Sequence, residues 1–139
     1  MRYRLLGKSG LRVSEACLGT MTFGEDWGWG SAKDEARKVY DAFRDAGGNF
    51  IDTANLYTNG NSEKFLGEFI KGHRDGVVMA TKYSNAAAGK DPNAAGNQRK
   101  NMFQAVEASL RRLELRRRMP TRQTGERHVL WHTETDRRR

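Results

Sequence analysis

Three short apolar runs in this chain each give way to a stretch of helical period, and this alternation limits the available folds more than any other feature. The first run is Ala16-Cys17-Leu18, stopped by Gly19. The second is Phe50-Ile51, ending in Asp52. The third is "GVVMATKY", residues 76–83. After the first run, Ala36, Val39, Tyr40, Phe43 and Ala46 recur on one helical face. Ser31 is the expected N-cap of that helix, with Asp34 three residues on, and Gly47-Gly48 supply the stop. After the second run, Ser62 is the expected cap of a helix with Phe65, Leu66, Phe69 and Ile70 on its apolar side. After the third, a loop rich in Ala, Asn and Gly over residues 84–97 leads to a helix carrying Met102, Phe103, Val106, Leu110 and Leu113.

Strand–helix alternation predicts a parallel sheet with right-handed crossovers. The runs lack polar alternation, as strands covered on both faces do. Ahead of them, "RYRLLGKSGLRVS" sets Gly7-Lys8-Ser9-Gly10 between two runs, which predicts a hairpin.

The character changes near residue 115. Residues 116–139 hold eight arginines against three acids and few apolar residues, so they carry most of the net charge of +8. A segment of this composition buries too little surface to offset the entropy of ordering it. The chain therefore divides into a folded part, 1–115, and a basic, disordered tail, 116–139. Arg116-Arg117-Arg118 and Arg137-Arg138-Arg139 would attract phosphates, but no recognition module accompanies them. A solvated tail is the expectation, and nucleic-acid binding its alternative. Cys17 is the single cysteine, which fits a reducing compartment. No signal-peptide core opens the chain, and no window approaches the ~18 apolar residues of a membrane span. The expectation is a soluble, cytoplasmic protein without a membrane partner.

In a parallel α/β arrangement the functional edge lies at the C-terminal ends of the strands. Asp52 ends the second strand, Lys82 ends the third, and Tyr57 follows in the loop after the second. A free phenol titrates near about 10 and gives up its proton poorly at neutrality. A neighbouring ammonium favours the phenolate. Lys82 would be that ammonium, Asp52 its counter-ion, and Tyr57 the general acid for a developing alkoxide. The hydride that creates the alkoxide has to come from a cofactor, since no side chain donates one. Each residue also has a structural reading. Asp52 would close an Asx-turn, Tyr57 would pack with its hydroxyl in solvent, and Lys82 would be an ordinary strand-end lysine.

Smaller features divide in the same way. His128 and His132 in "HVLWH" would face one side of a helix, but no third metal ligand accompanies them. Trp27 and Trp29 in "EDWGWG" would line a pocket for aromatic carbonyls or simply cover the sheet's upper edge. His73 lies in the polar connection "KGHRDG" and is expected to be solvated. No Walker or G-x-G-x-x-G fingerprint is present.

Taken together, "GLRVSEACLGTMTFG", "NFIDTANLYTNGNSEKFLGEFI", "VVMATKYS" and "AAGNQRKNMFQAVEASLRRL" resemble the N-terminal part of the aldo-keto reductase family, in its aryl-alcohol dehydrogenase-like and potassium-channel β-subunit-like branch. The resemblance covers residues 1–113. It implies a partial (β/α)8 TIM barrel: an N-terminal hairpin closing the bottom and about three βα units. It also implies reduction of a small aldehyde or ketone to an alcohol with NADPH. Of the family's catalytic Asp, Tyr, Lys and His, the first three fall on Asp52, Tyr57 and Lys82. The cofactor's nicotinamide end falls near Gly19, Thr20, Met21 and Asp52.

The resemblance stops after "SLRRL". A fourth strand with a pattern like TDYIDLYQLH is replaced by "RRRMPTRQTGE", and Thr124 stands where the family's histidine is expected. A shifted reading frame or a truncated product is the expected cause. A full barrel takes about 250 residues against 139 here. The expectations are weak or absent NADPH binding, impaired activity, and open sheet edges that invite self-association. The alternative function is a non-catalytic, partner-binding module.

Overall fold

The computed structural model describes residues 1–85, 91–115 and 129–132. Strands β1 (Tyr3–Leu5) and β2 (Arg12–Ser14) form an antiparallel hairpin with Tyr3 opposite Ser14. Gly7 and Gly10 turn it at positive φ, +56° and +76°, where a residue with a Cβ is disfavoured. Then follow β3 (Cys17–Gly19), α1 (Lys33–Asp45), β4 (Phe50–Asp52), α2 (Asn61–Phe69), β5 (Val78–Lys82), α3 (Arg99–Arg112) and β6 (Val129–His132). Strands β3 to β6 form one parallel sheet in chain order. This is the expected partial barrel wall.

The core lies between the sheet and its helices. Ile51 and Met79, paired across β4 and β5, pack there with Leu66, Phe69 and Ile70 from α2, Ala36 and Tyr40 from α1, and Leu113 beyond α3. The hairpin docks under the lower end of the sheet. Ser14 N–H donates to Asn49 Oδ1 at 2.7 Å, Phe50 N–H donates to Ser14 Oγ at 3.2 Å, and Tyr3 Oη donates to the carbonyl of Gly47 at 2.6 Å. The upper edge, where the strands end, is thereby left to the loops. Among the described residues no helix is long and apolar enough to cross a membrane.

Several local expectations give way to tertiary contacts. Ser31 does not cap α1. Ala32 stands at the N-cap without a side-chain hydrogen bond, while Ser31 exchanges backbone hydrogen bonds with Thr22 and Gly24. Ser62 does not cap α2 either. The helix begins at Asn61, Gly60 precedes it at φ +87°, and Ser62 is buried inside the first turn. On α3 the buried positions are Asn101, Ala105 and Ser109, whereas Phe103 is exposed. The end of α3 lies close to α2. At Gly67 of α2 a Cβ would come within 2.8 Å of the Arg112 carbonyl oxygen. His73 is not simply solvated: its Nε2 lies 2.6 Å from Tyr40 Oη, which is buried.

Four residues of the tail form a strand, β6. Val129–His132 runs parallel to β5, with Met79 opposite Val129 and Lys82 opposite His132. A strand at 129–132 is incompatible with the helical His128–His132 pair, and His128 itself lies outside the described residues. So do Thr124 and both arginine triplets.

Candidate functional site

Register places the acid and the base. Asp52 pairs with Ala80 and with Gly19. Its neighbours Ile51 and Met79 point into the helix-covered core, so Asp52 and Ala80 point to the other face, as does Lys82, two residues along β5. The chain then folds back over this edge. Thr53 N–H bonds to the carbonyl of Ala80 at 2.9 Å and Asn55 N–H to that of Lys82 at 3.0 Å. A 3-10 segment, Tyr57–Gly60, follows. Inside it Thr58 and Asn59 are both left-handed, at φ 47° and 55°. A β-branched threonine in that region is strained. Its hydroxyl holds it there, donating to the carbonyl of Phe23 at 2.5 Å and accepting from Ser62 N–H at 3.1 Å. This turn carries Tyr57 over the end of β5.

The three polar side chains meet. Lys82 Nζ donates to Asp52 Oδ2 at 2.6 Å, to Tyr57 Oη at 3.1 Å and to the Thr53 carbonyl at 3.1 Å. All three ammonium protons are thus used. Lys82 is buried, with Asp52 about one-third exposed beside it (33%). Burial acts against the lysine's charge. The hydrogen bonds to Asp52 and Tyr57 outweigh it, and the Lys82 pKa is held above the ordinary lysine range. The ammonium also lies 4.9 Å from the centroid of the Tyr57 ring. The arrangement can place a positive charge against the oxygen of a phenol and balance that charge with a carboxylate.

A cleft of about 220 Å³ opens beside Tyr57 and Lys82, walled by Met21, Trp27, Leu56 and Tyr83. Trp27 meets the Tyr57 ring edge-on, 6.4 Å between centroids at 84°. Trp29 packs against Trp27 at 5.5 Å and is itself exposed. Of the tryptophans, Trp27 therefore lines the cleft and Trp29 backs it from solvent.

The residues expected near a nicotinamide separate into two groups. Gly19 lies at the strand-end edge with nothing within 4 Å of where a Cβ would stand, and Met21 is exposed and lines the cleft. Thr20 is fully buried, its hydroxyl turned to the Asp52 carbonyl (3.1 Å) and to Ser62 (2.9 Å). Sequence reasoning took Ser62 for a cap and did not single out Glu63. Glu63 is fully buried, accepting from Thr81 Oγ1 at 2.7 Å and from Arg112 Nε at 2.6 Å. The available signal was helical spacing: Ser62 and Glu63 stand four and three residues before Leu66, on the side that the periodicity turns to the core. Two polar residues there need buried partners.

The Aldo/keto reductase family model matches residues 15–118. The chain is 45% identical over 115 residues to norsolorinic acid reductase stcV of Emericella nidulans, covering 76% of this chain and 30% of that protein. It is 44% identical over 127 residues to the NADP(+) aryl-alcohol dehydrogenase of Phanerodontia chrysosporium, covering 81% and 33%. Among solved structures, an aldo-keto reductase of Bacillus halodurans in its holo form superposes with a TM-score of 0.71 at 36% identity, covering 82% of this chain and 37% of that one. The chain thus spans about a third of the length of each of these three proteins.

Proposed function

The chain belongs to the aldo/keto reductase family, a family of oxidoreductases, and from that premise we propose that Asp52, Tyr57 and Lys82 form the proton-delivering corner of a carbonyl-reducing site served by NADP(H). The observation that carries the reading is the Lys82 ammonium donating at once to the Asp52 carboxylate and the Tyr57 phenol oxygen. The substrate class is an aldehyde or ketone small enough to enter beside Tyr57.

The residues present suit the nicotinamide end of such a cofactor. Gly19 leaves open space at the strand end, Met21 offers a polarizable side chain beside it, and Asp52 closes the same edge. Thr20 serves from behind, its hydroxyl donating to the Asp52 carbonyl. When bound, the reduced cofactor supplies a hydride to the carbonyl carbon. Tyr57 Oη gives its proton to the carbonyl oxygen, which becomes the alcohol. The phenolate left behind accepts a hydrogen bond from Lys82 Nζ, and its charge is stabilised by the ammonium. Asp52 keeps Lys82 positive through the exchange. Trp27 and Met21 line the cleft beside the proton's path.

Gly19, Met21 and Asp52 address the nicotinamide end of the cofactor, and on these residues weak NADPH binding is the expected outcome. The test is carbonyl-dependent oxidation of NADPH, supplied in large excess with an aromatic aldehyde, followed by the loss of reduced-nicotinamide absorbance. Slow turnover that disappears in Tyr57→Phe is expected. Equal rates in the wild type and Tyr57→Phe would overturn the assignment. A fluorescence titration of NADPH checks the weak binding, and micromolar affinity would contradict it.

A further inference from the structure

The strand ends that carry Asp52 and Lys82 are tied together from behind. Thr20 follows β3, Thr53 follows β4, and Thr81 precedes Lys82 in β5. All three are fully buried, and each turns its hydroxyl to the first turn of α2. Ser62 Oγ donates to the Thr20 carbonyl at 2.8 Å and lies 2.9 Å from Thr20 Oγ1 and 3.0 Å from Thr53 Oγ1. Its backbone N–H donates to Thr58 Oγ1, one residue from Tyr57. With its one proton on the Thr20 carbonyl, Ser62 Oγ is left as acceptor for the Thr53 hydroxyl.

Buried hydroxyls are costly unless every partner is in place. Among the described residues none of the buried side-chain nitrogens or oxygens lacks one. An alanine would serve helix formation better at this position. The serine is thus accounted for by its partners, and those partners lie next to Asp52, Tyr57 and the end of β3.

We propose that Ser62 is a positioning residue: through Thr20, Thr53 and Thr58 it sets the separation between the end of β4 and the Tyr57 turn, and so the reach of Lys82 to Asp52 and Tyr57. As a statement about geometry this stands on the hydrogen bonds alone. As a statement about catalysis it rests on the carbonyl-reducing role given to the trio above.

The experiment follows the Lys82 ammonium by NMR in a chain carrying isotope-labelled lysine, with the signal assigned by Lys82→Arg, as pH is raised. Among the described residues, Asp52 from β4, Tyr57 from the turn and the Cys17 thiol from β3 act electrostatically on Lys82, and His132 stands opposite it in register on β6. Ser62→Ala and the isosteric Thr53→Val are each expected to move the Lys82 titration down toward that of an ordinary lysine. Ser62→Thr, which keeps the hydroxyl, is expected to restore most of it. Tyr40→Phe, which loses the remote hydrogen bond to His73, is expected to unfold more easily and leave Lys82 unmoved. Where turnover is measurable, Ser62→Ala lowers kcat roughly tenfold or more with KM little changed, the signature of misplaced reacting groups. An unmoved Lys82 titration in Ser62→Ala and Thr53→Val, whatever their stability, overturns the proposal. So does an equal shift in Tyr40→Phe. If Ser62→Ala does not fold, Thr53→Val decides. Absence of turnover in the wild type would count against the carbonyl-reducing reading and leave the NMR result standing.

Discussion

Lys82 and Asp52 are thirty residues apart in the chain and 2.6 Å apart in space, the ammonium of one strand end on the carboxylate of the next. Parallel pairing brings them there, since Asp52 stands opposite Ala80 and Lys82 lies two residues beyond it on the same face. The pair has a pH signature with a definite sign. The folded Lys82 pKa lies above its unfolded value, so its stabilising contribution is fully present below the ordinary lysine pKa of about 10.4 and is lost as pH rises through the folded value. Urea unfolding of the wild type and of Lys82→Met, compared from neutral to strongly alkaline pH, should show a gap at neutrality of roughly 1–2 kcal/mol. Asp52 is partly solvated, which keeps the gap small. The two curves converge at high pH.

Replacing Tyr57 by Phe should leave the fold almost unchanged, because Lys82 keeps Asp52 and the Thr53 carbonyl as partners. Carbonyl reduction should fall by about a hundredfold or more, the usual worth of a positioned general acid. Rates with an aromatic aldehyde, set beside a thermal melt of the same variant, separate the two effects.

The buried ion pair of Glu63 and Arg112 should be the costliest polar contact to break. Arg112→Ala leaves the fully buried Glu63 carboxylate with only Thr81, and a loss of about 3–5 kcal/mol is expected. Glu63→Gln should cost less, because the amide oxygen still accepts from one partner. A double-mutant cycle in urea should show strong coupling between the two positions.

Two glycines should respond in opposite ways to alanine. At Gly67 a Cβ would meet the Arg112 carbonyl oxygen at 2.8 Å and the Leu113 Cα at 2.9 Å. Backbone cannot swing aside as a side chain can, so Gly67→Ala should cost at least ~1–3 kcal/mol as α2 and α3 are forced apart. At Gly19 the same methyl meets nothing within 4 Å. Gly19→Ala should keep its melting temperature and weaken NADPH binding, as read by fluorescence.

Leu66 and Phe103 both sit on apolar helical stripes in the sequence, yet their truncation should differ sharply. Leu66 is fully buried in the core and Phe103 is 52% exposed. Leu66→Ala should cost about 2–5 kcal/mol, and Phe103→Ala about half a kcal/mol or less. Denaturant midpoints of the two variants provide the comparison.

These contrasts mark how far the sequence carries. Among the described residues, the hairpin, three of the four parallel strands and the three α-helices were legible, because strand runs and helical periods are local patterns that survive whatever packs against them. Asp52, Tyr57 and Lys82 were legible as well, since polar residues at the ends of apolar runs stand out and parallel topology sends those ends to one edge. The caps at Ser31 and Ser62 were misread. Both motifs are correct for a helix in isolation, but here Ser31 bonds back to its loop and Ser62 turns inward to threonines 42 and 9 residues away. The strand at Val129–His132 was missed too. A four-residue run amid arginines carries little signal by itself, and its pairing partner is β5, fifty residues earlier in the chain.

By itself, the order of residues determined the hairpin, the first three parallel strands and the helices after them, and that an acid, a phenol and an amine would share one rim. Only the tertiary structure decided that Lys82 reaches Asp52 and Tyr57 together, that Ser62 turns to strand-end threonines rather than capping its helix, that Glu63 pairs with Arg112, and that Phe103 faces outward. Propensity and period act within about a turn of helix or a few residues of strand. Hydrogen-bond partners and close helix contacts arise between segments far apart in sequence, and exist only once the sheet has set their register.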